Sequence, residues 1–364
     1  MYQARIMTAA TLAAAVASCA VSNQSPAKRD DAGDALGGAG GDADSVPPDG
    51  GDADSVPQDG AAALESGRAD GALQTGGDGG SARDASAGAD TGSQAGLHHT
   101  MIILMENHGY GDIIGDTTDA PYINGLATGY ASATAWTDVS HPSLPNYLAL
   151  TAGSFFSSPQ DCIPTWATST GDCTFDTPAN NLADQLTAAG IPWRAYMEDM
   201  PSACDTTDSF TPGSYDVNHN PFVYFDHVVQ TASECSNVVP YEQLATDLAA
   251  GTMPAFLWVT PNIIHDMHNG TIADGDAFLH GLIPQIQSSA WYQQGGSIIL
   301  TWDEGETTDQ IVAIVVSIAN TGRGAFGTPG NHFGTLRGIE EVYGLPLLGS
   351  ASDPASGDLK PILQ

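Results

Sequence analysis

The sequence predicts an α/β domain built on a mostly parallel sheet, and three observations carry that reading. From residue 98 onward, short apolar runs alternate with amphipathic stretches of helical period. Several of those stretches end in glycine, at Gly129, Gly153, Gly190, Gly251 and Gly344, as helices closed by a left-handed residue do. Acids and histidines follow the apolar runs, and that is where open α/β sheets collect ligands.

The 364-residue chain begins with Arg5 ahead of the apolar stretch Ile6 to Ala17, then small residues and Cys19. A charged start, a short apolar run and small residues before a cysteine resemble a bacterial lipoprotein signal. Residues 1–19 are therefore expected to be a cleaved export signal with Cys19 lipidated; an ordinary secretory signal is the alternative. Residues 20–97 are Gly, Ala, Asp, Ser and Pro with almost no large apolar side chains, and Gly41 to Gly50 recurs nearly unchanged as Gly51 to Gly60. Such a segment cannot bury a core, so it is expected to be a solvated tether. It would hold a domain of residues 98–364 clear of the membrane it is anchored to.

Within that domain the expected strands are Thr100 to Met105, Trp193 to Met197, Ala255 to Val259, Ser297 to Trp302 and Ile311 to Ser317. The expected helices are Ala120 to Thr128, Leu144 to Thr151, Asn181 to Ala189, Tyr241 to Ala250, Ala277 to Ser288 and Leu336 to Tyr343. Trp258, Trp302 and Phe256 lie on buried-strand patterns and read as core. Cys162, Cys173, Cys204 and Cys235 remain after Cys19, and export favours disulfides. Cys162 with Cys173 and Cys204 with Cys235 is the natural pairing; two other connectivities exist.

Nine Lys plus Arg against 43 Asp plus Glu give a net charge of −34. That field repels the phosphates of DNA, RNA and anionic lipid, so nucleic acid is excluded as a partner and membrane contact is left to the lipid anchor. No protein partner is implied. Residues 98–364 hold only four basic side chains, Arg194, Arg323, Arg337 and Lys360, yet Glu106, Asp303 and Glu304 follow buried strands. Carboxylates gathered without basic partners need a cation or a raised pKa. Oxygen ligands from Glu106, Asn107, Asp303 and Glu304 favour calcium, magnesium, manganese or iron; nitrogens from His268 or His332 would shift the preference toward zinc or iron. Ser143 stands at the start of a helix whose Pro145 suits the first turn, where amides and the macrodipole favour an anion. It is either a nucleophile or a simple cap. Arg337 is either a phosphate contact or one half of a surface pair with Glu340 or Glu341.

Seven separated motifs then occur in a fixed order: Met105-Glu106-Asn107-His108; His141-Pro142-Ser143-Leu144-Pro145-Asn146-Tyr147; Ala195-Tyr196-Met197-Glu198-Asp199-Met200-Pro201; His219-Asn220-Pro221-Phe222-Val223-Tyr224; Asp266-Met267-His268; Trp302-Asp303-Glu304-Gly305; and Asn331-His332-Phe333. Together they resemble the bacterial phosphoesterase family of acid phosphatases and phospholipases C, a branch of the alkaline phosphatase superfamily. Three positions depart from that pattern: Asn218 stands where a lysine is often found, His265 where Asn is usual, and Glu304 where some relatives have Asp.

The resemblance implies an alkaline-phosphatase-like three-layer α/β/α sandwich and metal-dependent hydrolysis of a small phosphate monoester through a phosphoserine on Ser143. Glu106, Asn107, Asp303, Glu304 and Ser143 would hold the divalent metal. Asn146 would donate to a phosphoryl oxygen, and Asn146, His219 and Asp266 would bind substrate. His219, His268 or His332 would protonate the leaving group, while His141 and His108 would orient ligands. A phospholipase C or other phosphodiesterase is the alternative in the same chemistry, and a metal-stabilised surface lipoprotein without activity is the alternative outside it.

Overall fold

The computed structural model describes residues 98–156, 160–164, 173–175, 181–207 and 214–363. The expected signal, Cys19 and the tether of residues 20–97 lie outside the described residues. Ten strands are present among those described: β1 Thr100–Met105, β2 Ala131–Ala133, β3 Trp136–Thr137, β4 Trp193–Met197, β5 Val238–Pro240, β6 Phe256–Thr260, β7 Ser297–Trp302, β8 Ala313–Ser317, β9 Gly324–Phe326 and β10 Gly330–Asn331. Eight form one sheet in the order β5-β4-β6-β1-β7-β8-β2-β9, and β3 pairs β10 apart from it. Only β8 runs against its neighbours. The mostly parallel sheet is thus the one expected.

Its centre is apolar because both faces are covered. Every residue of β1, β6, β7 and β8 is buried, which requires helices above and below and explains near-continuous runs such as Thr-Met-Ile-Ile-Leu-Met. Trp258, Trp302 and Phe256 are wholly buried, as core residues. β1, β4 and β7 begin and end where expected, β6 is displaced by one residue and β8 begins at Ala313. The short strands β2, β3, β5, β9 and β10 escaped a periodicity reading because two or three residues carry no period.

Two helices start earlier than expected, each at a side-chain cap. Ile272–Gln287 begins after Thr271, whose side chain accepts from the Asp274 amide in a capping box. His332–Tyr343 begins after Asn331, which accepts from the Phe333 and Gly334 amides. The helix Ser143–Ala152 is buried along its whole length and packs against His332–Tyr343.

That buried helix ends at Gly153, in the left-handed region at φ 64°. A β-carbon there would lie 2.3 Å from the Leu348 carbonyl oxygen, and the Gly153 carbonyl accepts from Ser350 N at 2.8 Å. Gly153→Ala therefore faces both strain and a clash. It is expected to cost about 2–3 kcal/mol, read as a lower midpoint in urea unfolding.

Candidate active site

The register of the sheet builds the site. Met105 and Trp302 are partners in the β1–β7 ladder, so Glu106 and Asp303 leave the sheet side by side. Asp303 N donates to Met105 O at 2.9 Å, and Glu106 N donates to Asp266 O at 2.8 Å, which ties in the chain beyond β6. Asn107 takes a left-handed φ of 48°, and its amide donates to Asp303 Oδ1 at 3.2 Å.

Ser143, the first residue of its helix, is brought to this pair. Its Oγ donates to Glu106 Oε2 at 3.1 Å and lies 3.5 Å from Asn107 Oδ1. One turn on, the Tyr147 hydroxyl donates to Glu106 Oε1. Ser143 is therefore not merely a cap. The i, i+4 spacing to Ser143 was the signal that would have marked Tyr147 beforehand. The front amide of the helix, Leu144 N, donates to Asp161 Oδ1 at 2.9 Å, a partner no motif announced.

Glu304 sits beside the cluster, accepting from Asn146 Nδ2 at 3.3 Å and approached by His141 Nδ1 at 3.0 Å. Asn146 is fully buried; its Oδ1 accepts from the amides of Val139 and Ser140, and its Nδ2 also donates to Ser140 O at 2.8 Å. On the other side, His219 Nδ1 lies 3.1 Å from Asp266 Oδ2 and its Nε2 lies 3.5 Å from Glu106 Oε1. Its ring stacks parallel to Tyr147, with centroids 5.4 Å apart. Asp266 is fully buried, and its Oδ1 accepts from the His268 amide at 2.7 Å. His268 is exposed, its ring 5.6 Å from that of His219. His332 lies buried behind the cluster, with Nε2 on the Asp303 carbonyl and Nδ1 without a partner.

The cluster is short of positive charge. Arg194 pairs with Asp247, and Arg337 and Lys360 both pair with Glu341, so Arg337 is half of a surface pair. Burial and then the Asp303 charge push the Glu106 carboxyl well above the usual range. Burial raises Asp303 to about 6 and, with the Asp303 and Asp138 charges, Glu304 to about 8. Burial also raises Asp138 to about 7 and lowers His332 to about 4. For His219 burial works downward but is outweighed by Glu106 and Asp266, which hold it well above the ordinary histidine value.

Asp303 Oδ2 has no hydrogen-bond partner although the residue is wholly buried. A buried carboxylate oxygen left unpaired is costly, and so is a group of carboxylates without a counter-charge. A divalent cation answers both costs, and the oxygens of Glu106, Asn107, Ser143 and Asp303 fit one. Glu106, His219 and His268 also offer ligand atoms within 4.8 Å of one another, so His268, but not His332, belongs to a group able to share an ion. The disulfides are Cys162–Cys173 and Cys204–Cys235, the pairing expected.

A serine hydroxyl held on a buried acid pair, at the carboxyl edge of a mostly parallel sheet, suits the hydrolysis of an ester, and relatives by sequence make the class a phosphatase. A model of the Phosphoesterase family matches residues 116–339, and the chain belongs to that family. It is 32% identical over 258 residues to the phosphatidylinositol-3-phosphatase of Mycobacterium tuberculosis, covering 70% of this chain and 80% of that protein. It is 25% identical over 263 residues to an acid phosphatase of Aspergillus fumigatus, covering 68% of this chain and 55% of that one, so it spans about half of the fungal relative. Among solved structures, a Vibrio parahaemolyticus protein in the alkaline phosphatase superfamily is similar with a TM-score of 0.49 at 13% identity, over 72% of this chain and 69% of that one. The chain's own mostly parallel sheet, buried on both faces, is the α/β architecture that the motifs implied.

Carboxyls whose folded pKa is raised stabilise the fold fully below their unfolded pKa, near 4, and lose that contribution as pH rises through the folded value. For Asp303, Asp138 and Glu304 the window runs from about 4 to about 8. Protein stripped by chelator is therefore expected to melt lower at pH 8 than at pH 5, by about 2–4 °C per kcal/mol lost. Thermal melts with added divalent metal should show a smaller difference.

Proposed function

We propose that the chain hydrolyses phosphate monoesters through a phosphoserine formed on Ser143, with a divalent cation held by Glu106, Asn107, Ser143, Asp303 and Glu304. One observation carries the reading: Ser143 Oγ donates to buried Glu106 within a cluster where a second buried carboxylate, Asp303, keeps one oxygen unpartnered. When bound, the cation supplies Lewis-acid neutralisation of phosphoryl charge and lowers the pKa of the serine hydroxyl.

The chain's own groups do the rest. Glu106 orients the Ser143 hydroxyl and stands ready for its proton, while Tyr147 and the His219 ring fix the carboxylate from its other side. The helix start favours the negative phosphoryl group. His268, exposed and with its ring 5.6 Å from that of His219, would protonate the departing alcohol and then take a proton from the water that cleaves the phosphoserine. Buried His332 is held neutral and serves Asp303 rather than the substrate.

Asn146 and Asp266, expected from sequence to touch the ester, are assigned positioning roles instead. Both are fully buried with their polar atoms engaged by protein, Asn146 holding residues 139–142 and Glu304, and Asp266 holding His219 and His268. The names of the relatives support monoester substrates, with a lipid headgroup phosphate the case of the mycobacterial protein. Export with a lipid anchor on Cys19 and a tether over residues 20–97 completes the proposal; two disulfides fit an oxidising compartment.

Ser143→Ala is expected to lower p-nitrophenyl phosphate turnover by about 10³-fold or more with the fold retained by circular dichroism. Wild type quenched during turnover of a labelled ester should carry label on Ser143. Unchanged turnover in the variant would end the reading. Chelation should abolish activity and added divalent metal restore it, and bis-p-nitrophenyl phosphate should be a much poorer substrate.

A further inference from the structure

Next to Glu304, which His141 Nδ1 approaches at 3.0 Å, Asp138, His141 and Asp309 bring one ligand atom each within 4.8 Å of one another. We propose that these three residues bind a second divalent ion of the zinc class, at the rim of the site and separate from the catalytic cluster. The position is built by backbone before any ion arrives. Asp138 N donates to Asp309 O at 2.9 Å, and Thr137 bridges Gln310 in antiparallel fashion, so the two aspartates sit on paired segments.

The distances exceed hydrogen-bond reach and leave room for a shared ion. His141 Nε2 lies 3.7 Å from Asp138 Oδ2 and 3.7 Å from Asp309 Oδ1. That is beyond the roughly 2.7–3.2 Å of an N–H···O bond, and near the ~3.4 Å between two ligands on a tetrahedral ion at about 2.1 Å. The other ring nitrogen supplies an independent observation. Metal-binding histidines commonly donate their second N–H to a carboxylate, and His141 Nδ1 lies 3.0 Å from Glu304 Oε2, outside the three-residue group.

The donor set selects the metal class. An imidazole nitrogen with two carboxylate oxygens suits Zn2+ over Ca2+ or Mg2+, which prefer oxygen alone. Two carboxylates match the charge of one dication. Asp309 is 80% exposed at its side chain and Asp138 only 4%, so the ion would rest on a buried floor with an open side for entry and for a water as fourth ligand. Bound there, it would fix the His141 tautomer, with Nε2 on the ion and Nδ1–H toward Glu304. Binding does not depend on the phosphoserine reading; only the influence on Glu304 does.

The test uses the full-length chain, stripped by chelator and titrated with Zn2+ by calorimetry and with Co2+ by visible absorption. Asp309→Asn, at an exposed side chain, is expected to bind one Zn2+ fewer per chain than wild type, or to bind that ion at least ten-fold more weakly, with loss of the matching Co2+ absorption. Ser143→Ala should keep this ion. Equal Zn2+ stoichiometry and affinity in wild type and Asp309→Asn would overturn the proposal. Turnover surviving in Ser143→Ala would instead strike the phosphatase mechanism and leave the rim ion standing, so the two failures are distinguishable.

Discussion

The arrangement of the site depends on one electrostatic constraint: Glu106 and Asp303 are forced together, wholly buried, at the ends of adjacent parallel strands. Their proximity is fixed by the in-register pairing of β1 with β7, which no side-chain adjustment relaxes. Three of the four basic residues of the domain are spent on distant ion pairs, and Arg323 meets Asn320. The hydrogen bonds that surround the pair follow from this. Ser143, Tyr147 and the Asn107 amide each donate to one of the two acids, and His219 approaches Glu106 with Asp266 behind it. Each removes part of the desolvation cost, and the remaining orphan oxygen on Asp303 marks where the compensation is incomplete.

The same constraint separates the histidines, which sequence alone left equivalent. His219 lies between two acids that favour its protonated form. His332 is buried against a carbonyl and stays neutral. His268 is open to solvent. Residue type is common to all three, and the difference lies in what each ring meets. His141 completes the set, its Nδ1 3.0 Å from Glu304 Oε2.

Much of the framework was legible because long buried strands and glycine-stopped helices leave strong patterns. β1, β4 and β7 could be bounded to the residue, and the acids just past β1 and β7, Glu106 and Asp303, come together where those two strands pair, whereas Glu198 past β4 meets His265 instead. What was hidden depends on long-range pairing. The two- and three-residue strands exist only because a neighbour holds them, and Asp161 reaches Leu144 N through a loop with no motif of its own. In the proposed mechanism Asn146 and Asp266 take positioning roles for a related reason. Their residue types suit a phosphate contact, whereas burial assigns their hydrogen-bonding capacity to the surrounding loops. Helix starts at Thr271 and Asn331 were readable as caps, and periodicity alone passed over them.

The reversed direction of β8 has a consequence for how the molecule can diversify. A parallel successor to β7 would require a crossover to the opposite edge, but β8 returns from the edge at which β7 ends. The segment from Asp303 to Val312 is therefore a bank fastened to the sheet at both ends, beside the mouth of the site. Lengthening or shortening that bank would reshape what can enter while every strand keeps its neighbours.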